Sequence, residues 1–313
     1  MMFLARRVGL IIPTVILVSL VVFLMIRAIP GDPVMLILGE GASKATIEAV
    51  RAQLGLDRPL PVQYILWIGQ VLKGNLGHSL VTHEAVLPLI WDRFTLTALL
   101  ILIAVAIASV IAVLAGLFAA WRQNSIWDLS IVILATLGLS LPSFWVGMLL
   151  LLVFGIWLGW LPIVGYVGFG EDPARAWQYL VLPVLALVFV EVGVLTRMAR
   201  ASTIEVLRLE YITHARAKGL SERRVLLRHA LPNAFGPTWT LIGMVVGTLL
   251  GGSAVVETVF TLPGLGRLLV ESIAARDYPV IQGCLLFIAL TYVLLNLVVD
   301  LLYPLFDPRT AER

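Results

Sequence analysis

Few side chains in this sequence have the type and spacing that covalent chemistry needs. The stretch Gly39-Glu-Gly-Ala-Ser-Lys44 is glycine-rich. A phosphate loop, however, ends in Gly-Lys-Ser/Thr and follows a strand, and neither condition is met. It reads as a turn. No His-Glu-x-x-His pair, nucleophile elbow or other ordered catalytic set occurs, so the chain is expected not to be an enzyme. His78, His83 and Glu84 place three potential ligands close together, but histidines are common in loops and no metal site is expected. Cys284 is the single cysteine, lies in an apolar run and reads as a small packed residue.

Charges inside apolar runs are more informative. Glu191 falls well within one, where a charge is costly enough to demand a cavity-facing or helix-bridging position. It is a candidate for lining a pathway; a neutral, hydrogen-bonded carboxyl is the alternative. Arg197 lies near the end of the same run and can snorkel. Asp300 reads as a tether between helices. Glu257, Pro263, Gly264 and Gly266 form a glycine-rich turn after another apolar run, suited to a tight re-entrant bend and to pathway lining or gating. Gly251 and Gly252 read as a site of close helix packing.

One polar stretch stands apart, from Glu210-Tyr-Ile-Thr-His-Ala-Arg-Ala-Lys-Gly219 to Leu231-Pro232-Asn233. Its first part favours a helix through Lys218. Gly219 permits a sharp corner. Ser221 can cap a second helix to about His229, which Pro232 would end or kink. Small Ala215 and Gly219 would let a partner approach closely. Such a corner can pass force from a partner, or it can rest on anionic lipid heads.

The elements that position these residues follow from hydropathy. Of 313 residues, 60% are hydrophobic and 13% charged, against about half and a quarter in soluble domains. Mean hydropathy is +1.00. The surplus apolar surface requires lipid. Basic residues scattered between apolar runs, without a soluble domain, argue against nucleic-acid binding. Six runs near 8–29, 95–120, 130–158, 178–199, 236–256 and 281–305 can each cross a hydrocarbon core of about 30 Å as a helix. Pro13, Pro142 and Pro183 predict kinks. The first run is too long for a signal peptide and reads as an uncleaved helix. Arg200, Arg208, Arg216, Lys218, Arg223, Arg224 and Arg228 mark 200–235 as cytoplasmic, with both termini on that side. Segment 30–94 is then external, with helix-like stretches around 44–54 and 61–73.

The spacing of Thr213-His214-Ala215, Gly219 and Leu231-Pro232 resembles the EAA-loop signature of permease subunits of binding-protein-dependent ABC importers, with Thr213 and His214 standing where that signature has Glu and Ala. Further blocks resemble the DppB/OppB branch: Ile29-Pro-Gly-Asp-Pro33, Leu54-Gly-Leu-Asp-Arg-Pro-Leu-Pro-Val-Gln-Tyr64, Gly74-Asn-Leu-Gly-His-Ser79, Leu158-Gly-Trp-Leu-Pro162, Glu257-Thr-Val-Phe-Thr-Leu-Pro-Gly-Leu-Gly266, Arg276-Asp-Tyr-Pro-Val-Ile281 and Asn296-Leu-Val-Val-Asp300.

The resemblance implies an all-α, six-helix integral membrane protein of the type I importer (MetI-like) fold in a bacterial inner membrane. It implies a first helix at 1–29, an external segment at 30–94, a permease core at 95–306 and a cytoplasmic tail at 307–313. It further implies a homologous second permease, two cytoplasmic ATPase subunits and an external solute-binding protein. Thr213, His214, Ala215, Arg216, Ala217, Lys218, Gly219, Leu231 and Pro232 would form the ATPase-docking corner. The chain would need no cofactor, ATP and Mg being bound by the partner ATPases. Di- or oligopeptides are the implied cargo, with glutathione, nickel complexes and opines as alternatives. A stand-alone ion-gradient transporter is a rival reading that no apparent inverted repeat supports.

Overall fold

The computed structural model describes residues 2–28, 43–53 and 57–305. Among them only helices and loops form, apart from one isolated antiparallel bridge between His78 and Ala85. The blocks at 29–33, 39–42 and 54–56 and the tail from 306 lie outside the described residues.

Five helices are long and apolar enough to cross a membrane. They are α1 (Met2–Ala28), α4 (Val86–Trp121), α7 (Pro173–Leu207), α10 (Leu231–Gly252, entered from Glu222) and α13 (Tyr278–Leu302). The expected third span is instead a bent pair, α5 (Ile126–Ser140) and α6 (Ser143–Leu150, prolonged by a widened turn to Trp157), meeting at 98°. Leu141 at the break is extended and Pro142 follows it. A residue before proline is pushed out of the helical region, and the proline has no N–H to continue the ladder. Pro13 and Pro183, by contrast, sit inside unbroken helices.

The second span starts at Val86 rather than 95. Its extra turns bury Val86 and Ile90 against Leu265, Val280 and Cys284, which outweighs the polar Asp92 and Arg93 beside them. The two helices expected within 30–94 form close to their expected bounds: α2 (Lys44–Gln53) and α3 (Leu60–Val71). Two short helices flank the corner after α7: α8 (Glu210–Ala217) and α9 (Glu222–Arg224). At the opposite end lie α11 (Ala254–Val259) and α12 (Leu265–Ala275).

Helix α7 is the axis of the bundle, packed by α4, α5, α6 and α10. The main core joins Leu100, Ile101, Ala104 and Ala108 of α4 with Leu180, Leu187 and Leu195 of α7 and Leu249 of α10. Backbones touch where side chains vanish. A Cβ on Gly116 would meet Ala199 and the Arg200 amide, and one on Gly138 would meet the Phe189 carbonyl.

Candidate functional site

The basic corner is built on its own small core. Val206 of α7, Ile212 and Ala215 of α8, then Val225, Ala230 and Ala234 pack together beneath it. Periodicity explains the arrangement: Ile212 and Ala215 share the inner face of α8, leaving Thr213, His214, Arg216, Ala217 and Lys218 exposed. Ala215 is 8% exposed and packs into the core beneath the corner. Gly219 turns the chain with φ +78°, a conformation that glycine adopts without cost. No described residue lies within 4 Å of where its Cβ would be. Across the turn Arg216 donates two hydrogen bonds to Glu222, at 2.8 and 3.2 Å.

The second half of the corner departs from expectation. Ser221 stands at the helix start, but its side chain makes no capping bond. Of the two outcomes expected at Pro232, an end or a kink, the helix end does not occur. The widened turn Val225–Ala230 runs directly into α10. Proline supplies no N–H and its ring crowds the carbonyl one turn back, and a turn with an extra residue relieves that crowding. Asn233 donates to the His229 carbonyl at 2.8 Å. Leu231 is half-buried and Pro232 exposed.

At the opposite end, Glu257, Gly264 and Gly266 come together. Glu257 is 1% exposed. Its carboxylate accepts from the Thr97 hydroxyl at 2.7 Å, the Ser253 hydroxyl at 3.0 Å and the Arg267 amide at 2.9 Å. Thr97 in turn accepts from the Leu265 amide at 2.8 Å. The carboxyl group thus sits at the start of α12, where the first amides have no partner within the helix. A Cβ on Gly264 would collide with that carboxylate, and one on Gly266 with the backbone of Ala254. Pro263 is half-buried in the turn between them. In this conformation the Glu257 carboxylate is engaged within the chain, and through Thr97 it ties α11 and α12 to α4. The neighbouring corner holds a second latch. Asp277, buried between α12 and α13, accepts from the Ser79 hydroxyl at 2.5 Å and the Leu80 amide at 3.1 Å. His78, His83 and Glu84 near this latch do not converge as a ligand set among the described residues.

Glu191 is apart from both ends. It lies half-buried in α7 and makes no hydrogen bond or ion pair within the described residues, so the bridged carboxyl does not occur in this conformation. With Val194, Met198, Ala201 and Glu205 it marks a face of α7 that is open in the half towards the corner. Among the described residues Gly251 and Gly252 do not mediate close packing, since none approaches within 4 Å of where a Cβ would be. That role belongs to Gly243, against Val299, and Gly247, against the Tyr292 ring. Gly251 instead borders a groove of about 750 Å³ between α1, α10 and α13, which Asp300 also lines.

Sequence reasoning missed a clamp. Arg200 near the end of α7 makes paired bonds of 2.6 and 2.7 Å to Asp128 of α5. Asp128 also accepts from the Asn124 amide, and its own amide is capped by Ser125. A lone acid at the head of an apolar helix was the available signal.

Residues 112–312 match the family model for the binding-protein-dependent transport system inner membrane component. Residues 1–101 match the N-terminal model for the membrane component of such systems. The chain belongs to this family. It is therefore a multi-pass inner-membrane permease subunit of an ABC importer. The permease is 45% identical over 303 residues to the glutathione transport system permease protein GsiC of Escherichia coli (strain K12), covering 97% of this chain and 96% of that one. It is 39% identical over 332 residues to the di/tripeptide transport system permease protein DppB of Pseudomonas aeruginosa (strain UCBPP-PA14), covering 99% of each. It also aligns with a chain from the crystal structure of an amino acid ABC transporter with histidines, at a TM-score of 0.48 and 22% identity, over 71% of this chain and 94% of that one.

Proposed function

We propose that the permease forms half of a translocation pathway for short peptides and is driven through its basic corner by ATPase subunits on the cytoplasmic side. The observation that carries this is the corner's construction: an exposed face of Thr213, His214, Arg216, Ala217 and Lys218, mounted on a packed core that joins the end of α7 to the start of α10. A load applied to α8 reaches two membrane helices at once. Clustered basic residues favour the cytoplasm for this end and hence for both termini.

In this reading a homologous second permease completes the pathway, two ATPase subunits bind ATP and Mg, and a solute-binding protein delivers cargo to the opposite face. The permease itself holds no cofactor and catalyses no reaction. ATP must favour one state of a two-state assembly, and moving it from 1:99 to 99:1 takes about 5.5 kcal/mol of differential binding. Glu191 on the open face of α7 would meet cargo in transit. Glu257, Pro263, Gly264 and Gly266 would hold the gate at the far end. The relatives named for di/tripeptides and for glutathione share one cargo chemistry, a few amide-linked residues ending in carboxylates.

The test is Gly219→Leu in the assembled importer. A side chain at φ +78° costs about 1–2 kcal/mol of local strain and projects from the docking face. Uptake of a labelled dipeptide should fall about tenfold or more, the equivalent of 1.4 kcal/mol, while the chain inserts at its normal level. Normal uptake at normal insertion would remove the corner from the drive mechanism.

A further inference from the structure

Helix α3 lies outside the bundle, yet it is built for lipid. Its sequence Leu-Pro-Val-Gln-Tyr-Ile-Leu-Trp-Ile-Gly-Gln-Val carries no charge, and none of its residues is buried. Val62, Ile65, Leu66 and Gly69 fall at i, i+3, i+4 and i+7, so one face is wholly apolar. Ile65 is 66% and Leu66 47% exposed, and Leu72 just beyond the helix is 82% exposed. Charges appear only at the two ends, at Asp57 and Arg58 before it and Lys73 after it. Helix α2 of the same segment is different: it carries Lys44, Glu48 and Arg51, as a water-facing helix should.

The other face of α3 fixes its depth. The Tyr64 hydroxyl is 2.7 Å from that of Ser19. Phe23 meets the rings of Tyr64 and Trp67 at 5.4 and 5.7 Å. Arg27, one residue from the end of α1, lies over Phe23 and donates to Gln63. Ser19 is nine residues before the end of α1 (Ala28), or about 13 Å along a helix. It lies within the apolar run of α1, beside exposed Leu17, Leu20, Val21 and Leu24. At about 18 Å, twelve helical residues are too short to cross a bilayer. An uncharged helix with one wholly apolar face has to bury that face in a core or in lipid, and no core forms over it among the described residues.

We infer that α3 is a membrane-embedded surface helix. It lies along α1 in the leaflet opposite the basic corner, with Val62, Ile65 and Leu66 against acyl chains and Tyr64 and Trp67 as interfacial anchors. Its apolar face continues the lipid-facing surface of α1. The inference rests on the chain's place in the membrane and not on the cargo or drive assigned above.

The test is nitroxide accessibility in the importer isolated with its partners and reconstituted in bilayers. On a Cys284→Ala background, single labels go on Ile65→Cys, Leu66→Cys and, as the aqueous reference, Glu84→Cys. Two adjacent exposed sites guard against one failed variant. Collision with oxygen should exceed collision with a water-soluble nickel chelate severalfold at both helix sites, with the reverse at Glu84→Cys. Chelate access at the helix sites equal to that at the reference would place α3 in water. Low access to both reagents would place a protein partner on it. Either result overturns the inference.

Discussion

At the scale of single residues, the two ends of the permease are held by different chemistry. The Asp128–Arg200 clamp brings together residues 72 positions apart. Asp128 is buried while Arg200 is partly exposed, so Asp128→Asn leaves a cation facing a neutral amide, a loss of about 1–3 kcal/mol for hydrogen bonds to a charged group. Thermal unfolding of the purified chain in detergent should show this, and Arg200→Ala should add little to it, because both remove one interaction. Glu257→Gln keeps the shape of the hub but turns one acceptor into a donor, costing about 1–3 kcal/mol. Gly264→Ala pushes a methyl group onto the same carboxylate. The double variant should therefore be less damaged than the sum of the two singles. Gly219 was legible in sequence because a corner between two helical patterns calls for a residue free to take positive φ. The clamp was not, since pairing across 72 positions leaves no periodic trace.

At the scale of elements, hydropathy located every span but could not see how helices pass one another. Prolines show why. Pro142 breaks a helix by 98°, Pro183 sits inside an unbroken one, and Pro232 is absorbed by a widened turn. The residue type is the same in each case, and tertiary packing decides the outcome. Glycines divide similarly. At Gly247 a Cβ would collide with the Tyr292 ring of α13, whereas at Gly251 it would meet nothing. Gly247→Ala should lower the melting temperature of the detergent-solubilised chain by several degrees as α10 and α13 are forced apart. Gly251→Ala should leave it unchanged or raise it slightly, through the gain in helix propensity of up to about 1 kcal/mol. Equal losses at both sites would mean that the α10–α13 contact is not as described.

At the scale of the whole molecule, the basic corner has a core separate from that of the membrane bundle. Corner substitutions that spare Ile212 and Val225 should thus change drive and leave stability intact. Arg216→Ala removes one exposed ion pair worth about 0.2–1 kcal/mol. Its melting temperature should match that of the parent within about 2 °C, with any loss confined to ATP-dependent uptake. The family membership and the corner could be read from ordered motifs along the chain. The lining of the pathway could not, because Glu191 is the one mid-span charge in α7 and its surroundings depend on helix rotation. The elbow at Leu141–Pro142 also bears on how the protein is made. At about 22 Å, α5 alone is shorter than the hydrocarbon core, and the helical stretch from Ser143 to Trp157 is no longer than α5. What seats them is Gly138 against the Phe189 carbonyl and Gly147 against the Phe260 ring and Ala186. All three partners are synthesised later. The elbow's packing partners are therefore complete only when both the helix Pro173–Leu207 and Phe260 have followed it out of the ribosome.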